Sequence, residues 1–168
     1  NQFPLVSLVG YTNSGKSTLF NRLTGANELA KNMLFATLDP KHRKVTFSYQ
    51  KQFILSDTVG FVSNLPTELI RAFKATLDEI IYSDLILHVR DISHEDYMSQ
   101  NDDVLNIINT IFIESERDFS ENVIEVINKI DKIKYSHNSI KNSLKRVHVS
   151  AKTGQGINDL IGVITKSL

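Results

Sequence analysis

The chain has 168 residues, 41% of them hydrophobic, which suits one globular domain with a substantial core. Its 19 basic residues balance 19 acidic ones, so the net charge is +0 and a strongly electrostatic nucleic-acid or membrane surface is disfavoured. There is no cysteine, which excludes disulfides and thiolate metal sites and suits a reducing, cytoplasmic setting. No apolar run approaches the roughly 20 residues of a membrane span, and no signal peptide is visible. The first residue is not Met and leads straight into a strand, so residues 1–168 are expected to be a single domain excised from a longer chain.

Residues 3–9, Phe-Pro-Leu-Val-Ser-Leu-Val, read as a buried strand. Gly10-Tyr11-Thr12-Asn13-Ser14-Gly15-Lys16-Ser17 follows and matches G-x-x-x-x-G-K-[ST], a phosphate-binding loop. The two glycines let the backbone curl so that successive N–H groups face one phosphate. Lys16 is placed to reach the β- and γ-phosphates, and the Ser17 hydroxyl to bind Mg²⁺. A helix over residues 18–23, opening at Thr18, adds the partial positive charge of its N-terminus. Residues 43–49 alternate, with Val45, Phe47 and Tyr49 on one face, as in a half-buried edge strand. A short turn joins them to a strand at 51–57, which predicts an antiparallel hairpin. Asn64 is a candidate cap and Pro66 a candidate first-turn residue for a helix with Leu69, Phe73, Leu77, Ile80 and Ile81 at helical spacing. A buried strand at 84–91 precedes a helix marked by Val104, Ile107, Ile108, Ile111 and Phe112. Strands at 122–128 and 146–150 follow, then a closing helix with Ile157, Leu160, Ile161, Ile164 and Leu168. The polar stretch 132–144 reads as a loop with at most a short helix. Alternating strands and helices predict an α/β fold of three layers, a mostly parallel sheet covered on both faces.

Three further motifs end predicted strands, where open α/β sheets bind ligands. In Asp57-Thr58-Val59-Gly60, the carboxylate can hold Mg²⁺ directly or through water, and Gly60 lets a backbone N–H approach a terminal phosphate. Standing alone, D-x-x-G would be an ordinary strand-to-loop turn. In Asn128-Lys129-Ile130-Asp131, the Asp131 carboxylate can accept from both N1–H and the 2-amino group of guanine, a donor pair adenine lacks. Asn128 can tie this loop to the phosphate loop, and the Lys129 stem can lie along a base. The plainer reading is a helix cap with a surface lysine. Ser150-Ala151-Lys152 puts a small residue where a backbone N–H can reach guanine O6, or forms a plain turn before Gly154. The histidines (His42, His88, His94, His137, His148) show no metal-ligand spacing, and His88 and His148 read as satisfied core or edge residues.

These four motifs, in this order, resemble the guanine-nucleotide set of translation-factor-class GTPases. The resemblance covers the whole chain and implies the P-loop NTPase fold, with six strands and one antiparallel edge strand. Two longer stretches resemble the HflX family: Asn32-Met33-Leu34-Phe35-Ala36-Thr37-Leu38-Asp39-Pro40, like its first switch, and residues 57–66 continuing through 72–77, like its second switch and following helix. The chain departs from that pattern at Lys41-His42-Arg43 and at Arg90. The resemblance makes Thr37 the switch threonine, whose hydroxyl completes Mg²⁺ coordination and whose N–H senses the γ-phosphate; without it, Thr37 is a strand residue with no ligand. Phe61 stands where Ras-like enzymes carry a water-orienting Gln, and its ring can neither donate nor accept. Slow intrinsic hydrolysis is therefore expected, with a partner or another group positioning the water. In several related GTPases, an Asn at the Asn13 position helps hold a K⁺; the alternative is that Asn13 meets phosphate through its backbone alone. The candidate catalytic set is Lys16, Thr37, Gly60 and Asn13. Arg71 and Lys74 read as a solvated helix face. The resemblance further implies an N-terminal HflX domain, a large-ribosomal-subunit partner, a role in ribosome splitting or rescue, and some acceptance of ATP; the chain is expected to be a monomer that binds GTP or GDP. Competing readings are a nucleotide-binding scaffold with negligible turnover, an ATPase or nucleoside kinase, and an Obg-like or tRNA-modification GTPase.

Overall fold

The computed structural model describes residues 3–25, 40–47, 51–61, 70–118, 121–134 and 141–168, with the side chains of 70–72 also outside the description. Six strands form one sheet: β1 (Leu5–Gly10), β2 (Lys41–Phe47), β3 (Lys51–Asp57), β4 (Leu85–Asp91), β5 (Val123–Asn128) and β6 (Arg146–His148). Their order is β2-β3-β1-β4-β5-β6. Among the described strands, only the β2–β3 pair is antiparallel, with Lys41 opposite Asp57 and Phe47 opposite Lys51. The other four pairings are parallel. This is the expected three-layer α/β fold with one antiparallel edge strand.

Helices α1 (Lys16–Thr24) and α4 (Ile157–Ser167) cover one face of the sheet; α2 (Ile70–Tyr82) and α3 (Tyr97–Ser115) cover the other. The layering follows from strand alternation. On β4, Leu85, Leu87 and Val89 face one core with Leu19, Phe20, Leu160 and Ile164. Ile86 faces the other, with Val9, Phe61, Ile80, Val104 and Ile108. Burying each of these side chains contributes about 1.5–3 kcal/mol before the entropy of ordering is subtracted. The α2/α3 face is the more polar of the two. His88 and Arg90 share it with Ile86, because residues two apart in a strand point the same way.

Element bounds moved by a few residues. β2 begins at Lys41 rather than 43, because pairing with β3 extends to Lys41 opposite Asp57. β6 stops at His148 rather than 150, and the chain then turns into the Ser150 loop. A 3₁₀ turn, Ile130–Lys132, leads into the stretch expected to be loop. Tyr49, Asn64, Pro66 and Leu69 lie outside the described residues. Among the described residues, no helix is long and apolar enough to cross a membrane.

Candidate functional site

The carboxyl ends of β1, β3, β4 and β5 converge on residues 11–15, which leave β1 and enter α1 directly. Asn13 sits at φ 65° and Gly15 at φ 96°, two left-handed residues that curl the loop. At Gly15 a side chain is excluded twice over. The backbone is left-handed, and a Cβ would lie 2.2 Å from Asn128 Nδ2. Asn128 comes that close for a reason: its Nδ2 donates to the Ser14 carbonyl at 3.0 Å, and its Oδ1 accepts from the Ala151 N–H at 3.0 Å. One amide therefore joins the phosphate-loop motif, the N-K-x-D motif and the S-A-K motif. Lys129, itself at φ 66°, donates to the Asn13 carbonyl at 2.7 Å and pairs with Asp91 at 2.9 Å. Burial works to raise the Asp91 pKa but is outweighed by hydrogen bonds from Ser93 and Lys129, and the carboxyl stays below its ordinary value.

Lys16 is buried, with Nζ donating to the Thr58 carbonyl at 2.8 Å and 3.5 Å from Asp57 Oδ1. The Ser17 hydroxyl donates to the other Asp57 oxygen at 3.0 Å. This pair of hard oxygen donors fits Mg²⁺, which takes one or two protein oxygens and keeps several waters. Thr58 is held in turn, its hydroxyl donating to the Leu8 carbonyl at 2.6 Å, and Val59 N–H donates to Thr76 Oγ1 at 3.1 Å. Gly60 runs against the phosphate loop: a Cβ there would lie 2.9 Å from Thr12 Oγ1 and 3.0 Å from Thr12 Cα. The approach is fixed by a backbone bridge, Thr12 N–H to Phe61 O at 2.8 Å and Phe61 N–H to Gly10 O at 2.9 Å. Phe61 is 1% exposed and packs edge-on against Phe73, ring centroids 5.2 Å apart.

Where the N-K-x-D and S-A-K motifs meet, the Ser150 hydroxyl donates to Asp131 Oδ1 at 2.7 Å and accepts from Thr153 N–H at 3.1 Å. Asp131 is exposed, and Ala151 is buried. Arg22 of α1 donates to the carbonyls of Ala151 and Lys152 at 3.0 and 2.7 Å, steadying that loop from below.

The structure thus gathers Gly10, Tyr11, Thr12, Asn13, Ser14, Gly15, Lys16, Ser17, Thr18, Asp57, Gly60, Asn128, Lys129, Asp131, Ser150, Ala151 and Lys152 at one edge of the sheet. Thr37 and the rest of the first-switch stretch through Asp39 lie outside the described residues. So does most of the second-switch stretch after Phe61. Sequence reasoning missed Asp91 and Arg22. Asp91 had a usable signal, a carboxylate at a strand's carboxyl end. Arg22 had none, because its partners are carbonyls far along the chain. The reading of His88 as a core residue holds, but among the described residues no protein group satisfies its Nδ1. His148 sits at the sheet edge and bonds Asn142.

The fold and the convergent strand ends define a P-loop GTPase domain. A family model described as 50S ribosome-binding GTPase matches residues 5–129. The protein named GTPase HflX from Caldanaerobacter subterraneus subsp. tengcongensis is 40% identical over 173 aligned residues, covering 100% of this chain and 37% of its own length. GTPase HflX of Escherichia coli is 43% identical, covering 98% of this chain and 38% of its own. A GTP-binding protein from Sulfolobus solfataricus, solved in complex with GDP, superposes with a TM-score of 0.73 at 26% identity, over 98% of this chain and 52% of that one. The chain belongs to the 50S ribosome-binding GTPase family, as an HflX-type G domain. It spans well under half the length of those two HflX relatives.

Proposed function

We propose that this domain binds GTP and Mg²⁺ and hydrolyses GTP to GDP and phosphate, acting as a switch on the large ribosomal subunit within a longer protein. The observation that carries the reading is the Asn128 amide, which locks the phosphate loop to both base-recognition loops through Ser14 and Ala151. Phosphate-binding and base-binding parts are thereby held at one spacing, as a nucleotide needs.

In this reading, the loop N–H groups and Lys16 cradle the β- and γ-phosphates, and Asp131 accepts from guanine while Ser150 orients it. Ser17 and Asp57, with Thr37, would hold Mg²⁺, which would supply positive charge against the phosphates. Water attacks the γ-phosphorus, the bond to the β,γ-bridging oxygen breaks, and GDP leaves with that electron pair. Phe61 cannot orient the water, and its ring is committed to the core against Phe73. That supports slow hydrolysis in the isolated domain, with acceleration by a partner. The large subunit is the partner named by the family description. Loss of the γ-phosphate would release the loops around Thr37 and Gly60 and change the bound state. Some ATP use, a monomeric state, a cytoplasmic setting and an N-terminal HflX domain belong to the same proposal.

The test is GTP hydrolysis by the full-length protein and by this domain, with and without large ribosomal subunits, in KCl and in NaCl. Slow turnover alone and clear stimulation of the full-length protein are expected. No stimulation would favour a nucleotide-binding scaffold. Equal rates in the two salts would remove Asn13 as a K⁺ ligand. Asp131→Asn should shift preference from guanine towards xanthine nucleotides, and unchanged GTP binding would sink the guanine assignment.

A further inference from the structure

Behind the phosphate loop, between β4 and α3, lies a cavity with about 10 Å³ open to the centre of a water molecule. That is room for one water. Its walls include Ser14, His88, Arg90 and Asn101, together with Tyr11 and Tyr97. Four buried polar atoms on these walls lack a hydrogen-bond partner: Ser14 Oγ, His88 Nδ1, Arg90 Nε and Asn101 Oδ1. The residues Ser14, His88 and Arg90 are 2%, 1% and 7% exposed. An orphaned buried polar atom costs about 1–3 kcal/mol, so four around one cavity call for an occupant.

The occupant's chemistry follows from its walls. The Arg90 guanidinium opposes a cation, and Asp91, also on the wall, opposes an anion. The size admits one small neutral molecule. A water has two donors and two acceptor sites. It can accept from Arg90 Nε–H and from the Ser14 hydroxyl, and donate to Asn101 Oδ1 and to the neutral His88 Nδ1. Every orphan is then satisfied, and no valence of the water is left over.

We propose that a buried water held by Ser14, His88, Arg90 and Asn101 ties helix α3 to the phosphate loop, making Asn101 a positioning residue for nucleotide retention. Ser14 is the shared member. Its carbonyl is already held by Asn128 at 3.0 Å, so the water holds the same residue a second time, through its side chain. Arg90 is anchored for this role by Glu125 at 2.9 Å and by the Tyr97 ring, 4.0 Å from its guanidinium carbon. A shift of α3 would therefore reach the loop through a single bridging molecule.

The water itself is independent of the proposed function; the effect on nucleotide retention rests on that reading. A high-resolution crystal structure of the domain should show one ordered water within about 2.7–3.2 Å of at least three of the four atoms. A dry cavity, or direct bonds among the four groups, would overturn the proposal. Release of a fluorescent GDP analogue should then quicken about 3- to 10-fold in Asn101→Leu, which keeps the side-chain size but removes the acceptor. Asn101→Asp, which keeps an acceptor, should restore slow release. An unchanged release rate in Asn101→Leu would refute the coupling to the loop. Failure of the wild type to bind the analogue would instead refute the nucleotide reading, leaving the water to be judged from the crystal structure.

Discussion

Gly15 carries the strictest local demand in the site. Its φ of 96° is one that side chains rarely adopt, and the Asn128 amide fills the space where a Cβ would go. Gly15→Ala must therefore strain the backbone and push away the residue that holds three loops together. We expect it to cost about 1–3 kcal/mol of stability and to abolish measurable GDP binding. Chemical denaturation and calorimetric titration would check this; a variant that bound GDP normally would contradict the role given to Asn128. Gly60 is tight for a different reason, the close passage of Thr12. Phe61 makes the opposite point. At the sequence level it marked a missing water-orienting group. The structure shows what the ring does instead, which is to fill the core beneath α2.

At the scale of elements, the row running across β4, β5 and β6 stands out. Glu125 accepts from Arg90 at 2.9 Å and from Arg146 at 2.7 Å. The two arginines differ in burial, their side chains being 7% and 54% exposed. Removing Glu125 leaves Arg90 as an uncompensated buried charge, whereas removing Arg146 breaks an exposed pair. Glu125→Gln should thus destabilise by about 3 kcal/mol, and Arg146→Ala by less than about 1 kcal/mol, in urea unfolding. Equal losses would show that Arg90 is better solvated than its burial implies. In the same row, burial and then the Arg90 charge lower the His88 pKa from 6.5 to about 4. The unfolded chain therefore takes up a proton that the folded one refuses. Stability from this group is fully present above pH 6.5 and is lost as pH falls towards 4, by up to about 3 kcal/mol. His148, lowered by burial and Arg146, acts in the same direction. Unfolding measured from pH 7 to pH 4.5 should show this loss, and His88→Gln should flatten it. An equally steep profile in that variant would assign the acid sensitivity elsewhere.

Over the whole molecule, the site is a seam rather than a pocket in one element. The ends of β1, β3, β4 and β5 meet the starts of α1 and the 150–152 loop. A ligand there would bridge both halves of the sheet, and global unfolding would destroy its site. GDP with Mg²⁺ at 100 times its dissociation constant should stabilise the fold by about 2.7 kcal/mol. For a chain of this size, that raises Tm by roughly 5–10 °C. Thermal unfolding at several GDP concentrations would test it, and a Tm unmoved by saturating GDP would contradict the proposed site.

Most of the fold was readable in the chain, because its signals are local. Strand alternation, helical spacing and the glycine-lysine loop depend on neighbours a few residues apart. They located the six strands and four α-helices of the described residues, as well as the four motifs at strand ends. Bounds slipped where a partner strand decided them, as at Lys41, which extends β2 only because Asp57 lies opposite. Tertiary structure alone decided the relations across distance: that Asn128 bonds Ser14, that Arg22 supports Ala151, and that His88 is buried beside Arg90 with no protein partner for its Nδ1 among the described residues. The physical reason is that a hydrogen bond or a desolvated charge depends on where two side chains meet in space. Spacing along the chain encodes which face a residue takes, but not which distant group will stand opposite it.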